Sequence, residues 1–194
     1  MEYLVINFHG FELHLPTLML LTLLVNLMIG GYLGMVYLLR RQDKSFLLWS
    51  IACFVFVAGG SAAGARVYID QPLITYLLAD LLLLLSPALV VTGLVLFLRG
   101  KLSARSKQQV ALLFALHVLP LSMLHQLTNA STALTSFSIA VIFIYAVILL
   151  KKARLTPVFP VYVLQLFFAL HAALMLLQVL LILPLIGEDY RAFS

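Results

Sequence analysis

Six runs of apolar residues, each long enough to cross a bilayer, alternate with short polar connections along the chain. A run of about 20 apolar residues reads as a membrane-spanning helix. The runs predict spans at about 15–39, 45–67, 72–98, 108–127, 133–150 and 158–186. The fold class is therefore all-α, a single transmembrane domain over 1–194 built as a six-helix bundle. The opening MEYLVINFHGFELHLP carries no basic residue and reads as a short external lead, with Pro16 suited to the first turn of the first span. TNAST, 128 to 132, reads as a short outer turn, and its Asn129-Ala130-Ser131 fits a glycosylation sequon too short to weigh much. Pro87 and Pro120 fall inside the third and fourth spans, where a missing N–H and a steric clash predict bends.

Small residues mark close helix contacts. Gly30-Gly31 and Gly34 in the first span, and Gly60 and Gly64 within AGGSAAGA in the second, have the small-x-x-x-small spacing that lets helix backbones approach. Trp49 lies early in the second span, where an interfacial anchor is expected.

Against this apolar background the polar residues stand out. Asp80 is the carboxylate lying deep inside a span, and an ionised Asp at a helix centre costs about 2.5–3.5 kcal/mol on insertion scales, so it must face protein or water. Depth can be counted at about 1.5 Å per residue from each inner helix end. Asp80 and His125 then lie about 27 Å up, Gln178 about 30 Å and Arg66 about 31 Å. A second layer holds Asn26 and His171 at about 20 Å, with His117 lower. Arg66, Asp80, His125, Gln178, His171 and Asn26 are thus the candidate ligand-binding or signalling residues. Their functional reading is a pocket for a small ligand or a proton-sensitive switch. The structural reading is hydrogen bonding between helices.

Composition agrees with the pattern. Of the 194 residues 64% are hydrophobic and 10% charged, which places the chain among integral membrane proteins. The net charge of +5 does not form a nucleic-acid surface, because ten of the twelve Lys and Arg sit in three short loops. Those loops are marked by Arg40, Arg41 and Lys44, by Arg99, Lys101, Arg105 and Lys107, and by Lys151, Lys152 and Arg154. By the positive-inside rule they are cytoplasmic and both termini lie on the outer side. No basic residue precedes Arg40, so a cleaved signal peptide is not expected. The lone Cys53 excludes an intramolecular disulfide and reads as a core residue.

Catalysis finds little support: there is no nucleophile elbow, phosphate loop or carboxylate pair, and the chain does not read as an enzyme. No metal site is expected, since nothing has compact HExxH-type spacing. Haem held by His117 or His125 with His171 is a weaker alternative, because the depths do not match. A small-solute transporter or channel using the same polar layer is another, although no internal repeat supports it. The expected partners are the lipid bilayer, a small ligand and a second copy of the chain, not nucleic acid.

The run RRQDKSFLLWSIACFVFVAGGSAAGARVYIDQPLITYLLADLLLLLSPALVVTGLVLFLRGK, 40 to 101, resembles the membrane-embedded N-terminal sensor regions that precede GGDEF domains in bacterial diguanylate cyclases. The likeness rests on a basic loop, a Trp early in the second span, a small-residue patch ending near an Arg, and a Leu-rich third span leaving through another basic loop. It implies a multi-pass input domain of the bacterial inner membrane whose signal is read by a cytoplasmic cyclase. This sequence has no GGDEF motif, so cyclic di-GMP synthesis is not assigned to it. With an even number of crossings, such an output would need a seventh helix after Ser194.

Overall fold

A computed structural model describes residues 5–8, 11–65, 68–69, 71, 73–101, 108, 115, 117–118, 120, 128–153 and 158–185. Among them are five helices long and apolar enough to cross a membrane. They are α1 (Leu15–Leu39), α2 (Lys44–Gly64), α3 (Ala79–Arg99), α4 (Thr128–Ala153) and α5 (Val158–Ile182). The span expected at 108–127 falls largely outside the described residues. Within it His117 and Pro120 are helical and half-buried.

Three boundaries differ from expectation. The lead contains a β-hairpin, β1 (Val5–Phe8) and β2 (Phe11–His14), paired antiparallel from Val5 opposite His14 to Phe8 opposite Phe11. TNAST is not a turn but the first turn of α4, which begins five residues before the expected start. Ser and Thr are poor interior helix formers in water, yet in an apolar surround the helix satisfies its own backbone groups and so extends. A wider π turn, Leu73–Leu78, leads into α3, and a 3₁₀ turn, Leu183–Leu185, closes α5. At the other end of α3, Gly100 adopts φ 68° and its N–H donates to the Leu96 carbonyl at 2.8 Å, the left-handed cap that favours glycine.

Neighbours in sequence pack as neighbours in space: α1 on α2, α2 on α3, α3 on α4, and α4 on α5. The glycines explain the first two contacts. A methyl group on Gly30 would lie 3.0 Å from Cys53 Cβ, and one on Gly64 would lie 3.0 Å from the Met19 tip, so both face the α1–α2 seam. Ser50 Oγ donates across this seam to the Gly30 carbonyl at 2.7 Å. Gly59 instead faces α3, where an added carbon would come within 3.1 Å of the Leu83 backbone nitrogen. Gly31 faces open space and takes no part.

Trp49 is more than an interfacial anchor. Its indole N–H donates to the Val90 carbonyl on α3 at 3.0 Å, and the ring lies over Gly93. Towards the basic helix ends, α3 and α4 enclose an apolar cluster of Val91, Leu94, Val95, Ala146, Leu149 and Leu150, flanked by Val161 and Phe168 of α5.

A methyl group on Gly93 would come within 2.7 Å of Trp49 Cδ1, part of a rigid ring. Gly93→Ala should therefore destabilise the protein by about 1–3 kcal/mol through overpacking and shift the emission of Trp49. Gly31→Ala should be neutral, or stabilising by up to about 1 kcal/mol, because it removes a helix glycine without a clash. Unfolding in detergent, followed through Trp49, separates the two.

Candidate functional site

Asp80 lies at the start of α3 and is 5% exposed. Nineteen residues separate it from Arg99, which places it about 28 Å from the basic end. Its Oδ2 accepts a hydrogen bond from Ser131 Oγ on α4 at 2.5 Å, the short distance typical of O–H···O bonds to a carboxylate. This bond crosses between helices far apart in sequence. Interhelical hydrogen bonds in bilayers average about 0.6 kcal/mol and reach about 1.7. That is well short of the about 2.5–3.5 kcal/mol insertion cost of Asp. A carboxylate at this depth therefore needs a polar neighbourhood, not a single partner.

α4 supplies it. Ser131, Thr135 and Ser138 recur at four- and three-residue intervals, with Thr132 and Ser136 beside them, and Ser131, Thr135, Ser136 and Ser138 are all buried. Ser138 turns its hydroxyl back to the Leu134 carbonyl at 2.6 Å, the usual way a hydroxyl is satisfied inside an apolar helix. Thr135 differs. It is 5% exposed, and its hydroxyl has no hydrogen-bond partner among the described residues.

Asp80, Thr132, Thr135 and Ser136 border a cavity of about 500 Å³, within the range of small-molecule sites. Asn26 of α1, His171 and Gln178 of α5, and Ser86 and Pro87 of α3 also line it. Four of the six candidate residues therefore meet at one cavity. Arg66 and His125 lie outside the described residues. Asn26 donates its amide to the Thr22 carbonyl of its own helix at 2.9 Å. His171 sits at the rim: it is exposed on one side, and on the other meets the Phe143 ring edge-on with centroids 4.7 Å apart.

α3 runs as one helix through Pro87. The proline leaves the Leu83 carbonyl without the donor one turn on, and Leu83 lines the cavity too. No group of three or more His, Cys, Asp or Glu that could hold a metal occurs among the described residues.

The cavity is graded along its length. Thr132, Thr135, Ser136, Asp80 and Gln178 lie about 25–32 Å from the basic helix ends. Val90, Phe143, Ala52 and Phe56 lie about 12–18 Å up. Below them the apolar cluster of α3 and α4 fills the space. The cavity is thus more polar at the end far from the basic helix termini and more apolar towards them.

The hydroxyls of α4 are the part that sequence reasoning missed. Their signal was the helical spacing of Ser131, Thr135 and Ser138, hidden while TNAST was read as a turn. Asn129, at the head of the same helix, donates to the Leu185 carbonyl at 3.3 Å, so its amide ties α4 to the end of α5. No known protein family, curated protein or solved structure matches this chain.

Removing the Ser131 hydroxyl takes a donor from a buried carboxylate, whereas removing that of Thr135 takes away a group with no described partner. Ser131→Ala should lower stability by about 0.6–1.7 kcal/mol. Thr135→Val should leave it unchanged or slightly raised. Thermal unfolding of the purified variants in one detergent checks the contrast.

Proposed function

We propose that the chain is the sensory input region of a bacterial inner-membrane signalling protein, with six crossings and both termini outside, regulating a cytoplasmic diguanylate cyclase. The observation that carries this reading is the cavity, a space of about 500 Å³ lined by polar residues from four helices. A small ligand bound there would touch helices α1 to α5 together. The bundle around it can pass the event on, because occupancy alters how α3 and α4 pack and both helices end at the basic, cytoplasmic loops. The likeness of residues 40–101 to cyclase-linked sensor regions supplies the output.

A small-solute transporter is the second reading. It is favoured by the helix irregularities beside the cavity, the π turn at Leu73–Leu78 and Pro87 within α3, since transporters build their sites from broken helices.

The test joins the chain through an added seventh helix to a diguanylate cyclase domain, expresses the fusion in a bacterium lacking other cyclases and measures cellular cyclic di-GMP. Asp80→Asn and Ser136→Leu, which fills the cavity, should each change cyclic di-GMP at least threefold, with protein level matched by immunoblot. Levels equal to wild type in both variants, together with solute flux in proteoliposomes, would replace the sensor reading with the transporter.

A further inference from the structure

Resting on the sensor reading, we infer that the cavity takes an uncharged, lipid-soluble para-quinone, its ring lying along α5 with one carbonyl oxygen at His171 and the other at Gln178.

α5 sets the length of the ligand. His171 and Gln178 both line the cavity and are seven residues apart. Seven residues are close to two helical turns, so the pair shares a face and stands about 10 Å apart along the axis. Met175 falls between them on that face and lines the cavity as well. A six-membered ring with oxygens on opposite sides, and a hydrogen bond of about 2.7–3.2 Å at each end, spans about the same distance. A more compact solute would reach one of the two groups and leave the other.

The same two groups set the charge. Imidazole and carboxamide can each donate a hydrogen bond while uncharged. Among the described residues neither side chain makes a hydrogen bond, His171 meeting only the edge of a ring. Carbonyl oxygens accept from both without carrying a charge into an apolar surround, where an unpaired one is costly.

The walls between these ends set the body. Phe56 of α2, Phe143 and Ile139 of α4, and the sulfur atoms of Cys53 and Met175 line the cavity. Aromatic rings and polarizable sulfur pack well against a flat π system. Phe143 is fixed from behind by Phe168, stacked at 5.4 Å, and meets His171 edge-on at 4.7 Å. One wall and one hydrogen-bonding end therefore belong to a single cluster. A uniformly polar solute would leave these walls unmatched, and a plain hydrocarbon would leave both ends unmatched.

The experiment reconstitutes the full chain in lipid nanodiscs and measures binding of a tritiated para-benzoquinone bearing a decyl chain, against empty nanodiscs of the same lipid. The ring is fully substituted, so that it does not add to the Cys53 thiol. Bound probe in excess of the empty discs should saturate at one per chain. The unlabelled quinone should displace it at least tenfold more tightly than the matching ring without its two oxygens. His171→Phe and Gln178→Leu should each weaken binding at least tenfold, with melting followed through Trp49 close to wild type, because neither side chain has a described hydrogen bond to lose. No saturable excess over empty discs, or equal displacement by the oxygen-free ring, would overturn the proposal, as would wild-type binding in both variants. The first two comparisons use the unaltered protein and stand even if a variant fails to fold. They are also independent of cyclic di-GMP: saturable quinone binding with a cellular response unmoved by the cavity variants removes the sensor reading, whereas a response that follows those variants without quinone binding removes only the ligand class.

Discussion

A carboxylate placed inside an apolar span forces the rest of the arrangement. Lipid cannot solvate it, so Asp80 turns to polar neighbours on other helices. The bond from Ser131 ties the end of α3 far from its basic terminus to the matching end of α4, and the basic ends of the same two helices meet through Val91, Leu94, Val95, Ala146, Leu149 and Leu150. One pair of helices is thus joined by polar contacts above and apolar contacts below. The cavity is the space between these two attachments, where neither kind of contact is complete.

The remaining helices attach to this pair by different means. α2 is held tightly, with Gly59 against α3, Gly60 and Gly64 against α1, and the Trp49 indole reaching the Val90 carbonyl. α5 is held by larger groups, through the stacked rings of Phe143 and Phe168, 5.4 Å apart, and the edge contact of Phe143 with His171. The α1 to α3 side of the cavity is thus packed backbone against backbone, and the α4–α5 side ring against ring.

Much of this was legible in the sequence because a bilayer leaves few options. The span of α1 over Leu15–Leu39 agrees with its apolar run, and counting residues from the basic loops put Asn26 and His171 at one level and Asp80 and Gln178 at another, all on one cavity. Depth can be read from sequence because a helix rises by a fixed amount per residue. Azimuth is harder to read. Spacing alone could not say that Gly60 faces α1 while its neighbour Gly59 faces α3, since that depends on which helices are adjacent. The α4 hydroxyls were missed for another reason: Ser and Thr signal turns in water, but inside a membrane they lie in helices and bond back to the chain. The β-hairpin went unread because its two strands are only four residues each, too short for alternation to register.

The pairing of Asp80 with Ser131, 51 positions apart, also bears on how the chain is made. A ribosome delivers α3 to the membrane before it has synthesised the serine that will meet the aspartate. During that interval the segment must enter lipid on its own merit. α3 contains nine leucines, each worth about −0.3 to −0.6 kcal/mol on the insertion scale against about +2.5 to +3.5 for one Asp. The leucine-rich run flanking Asp80 thereby lets the helix partition first and find its hydroxyl later, so the same residues that look like mere filler in the finished bundle are what permit its assembly order.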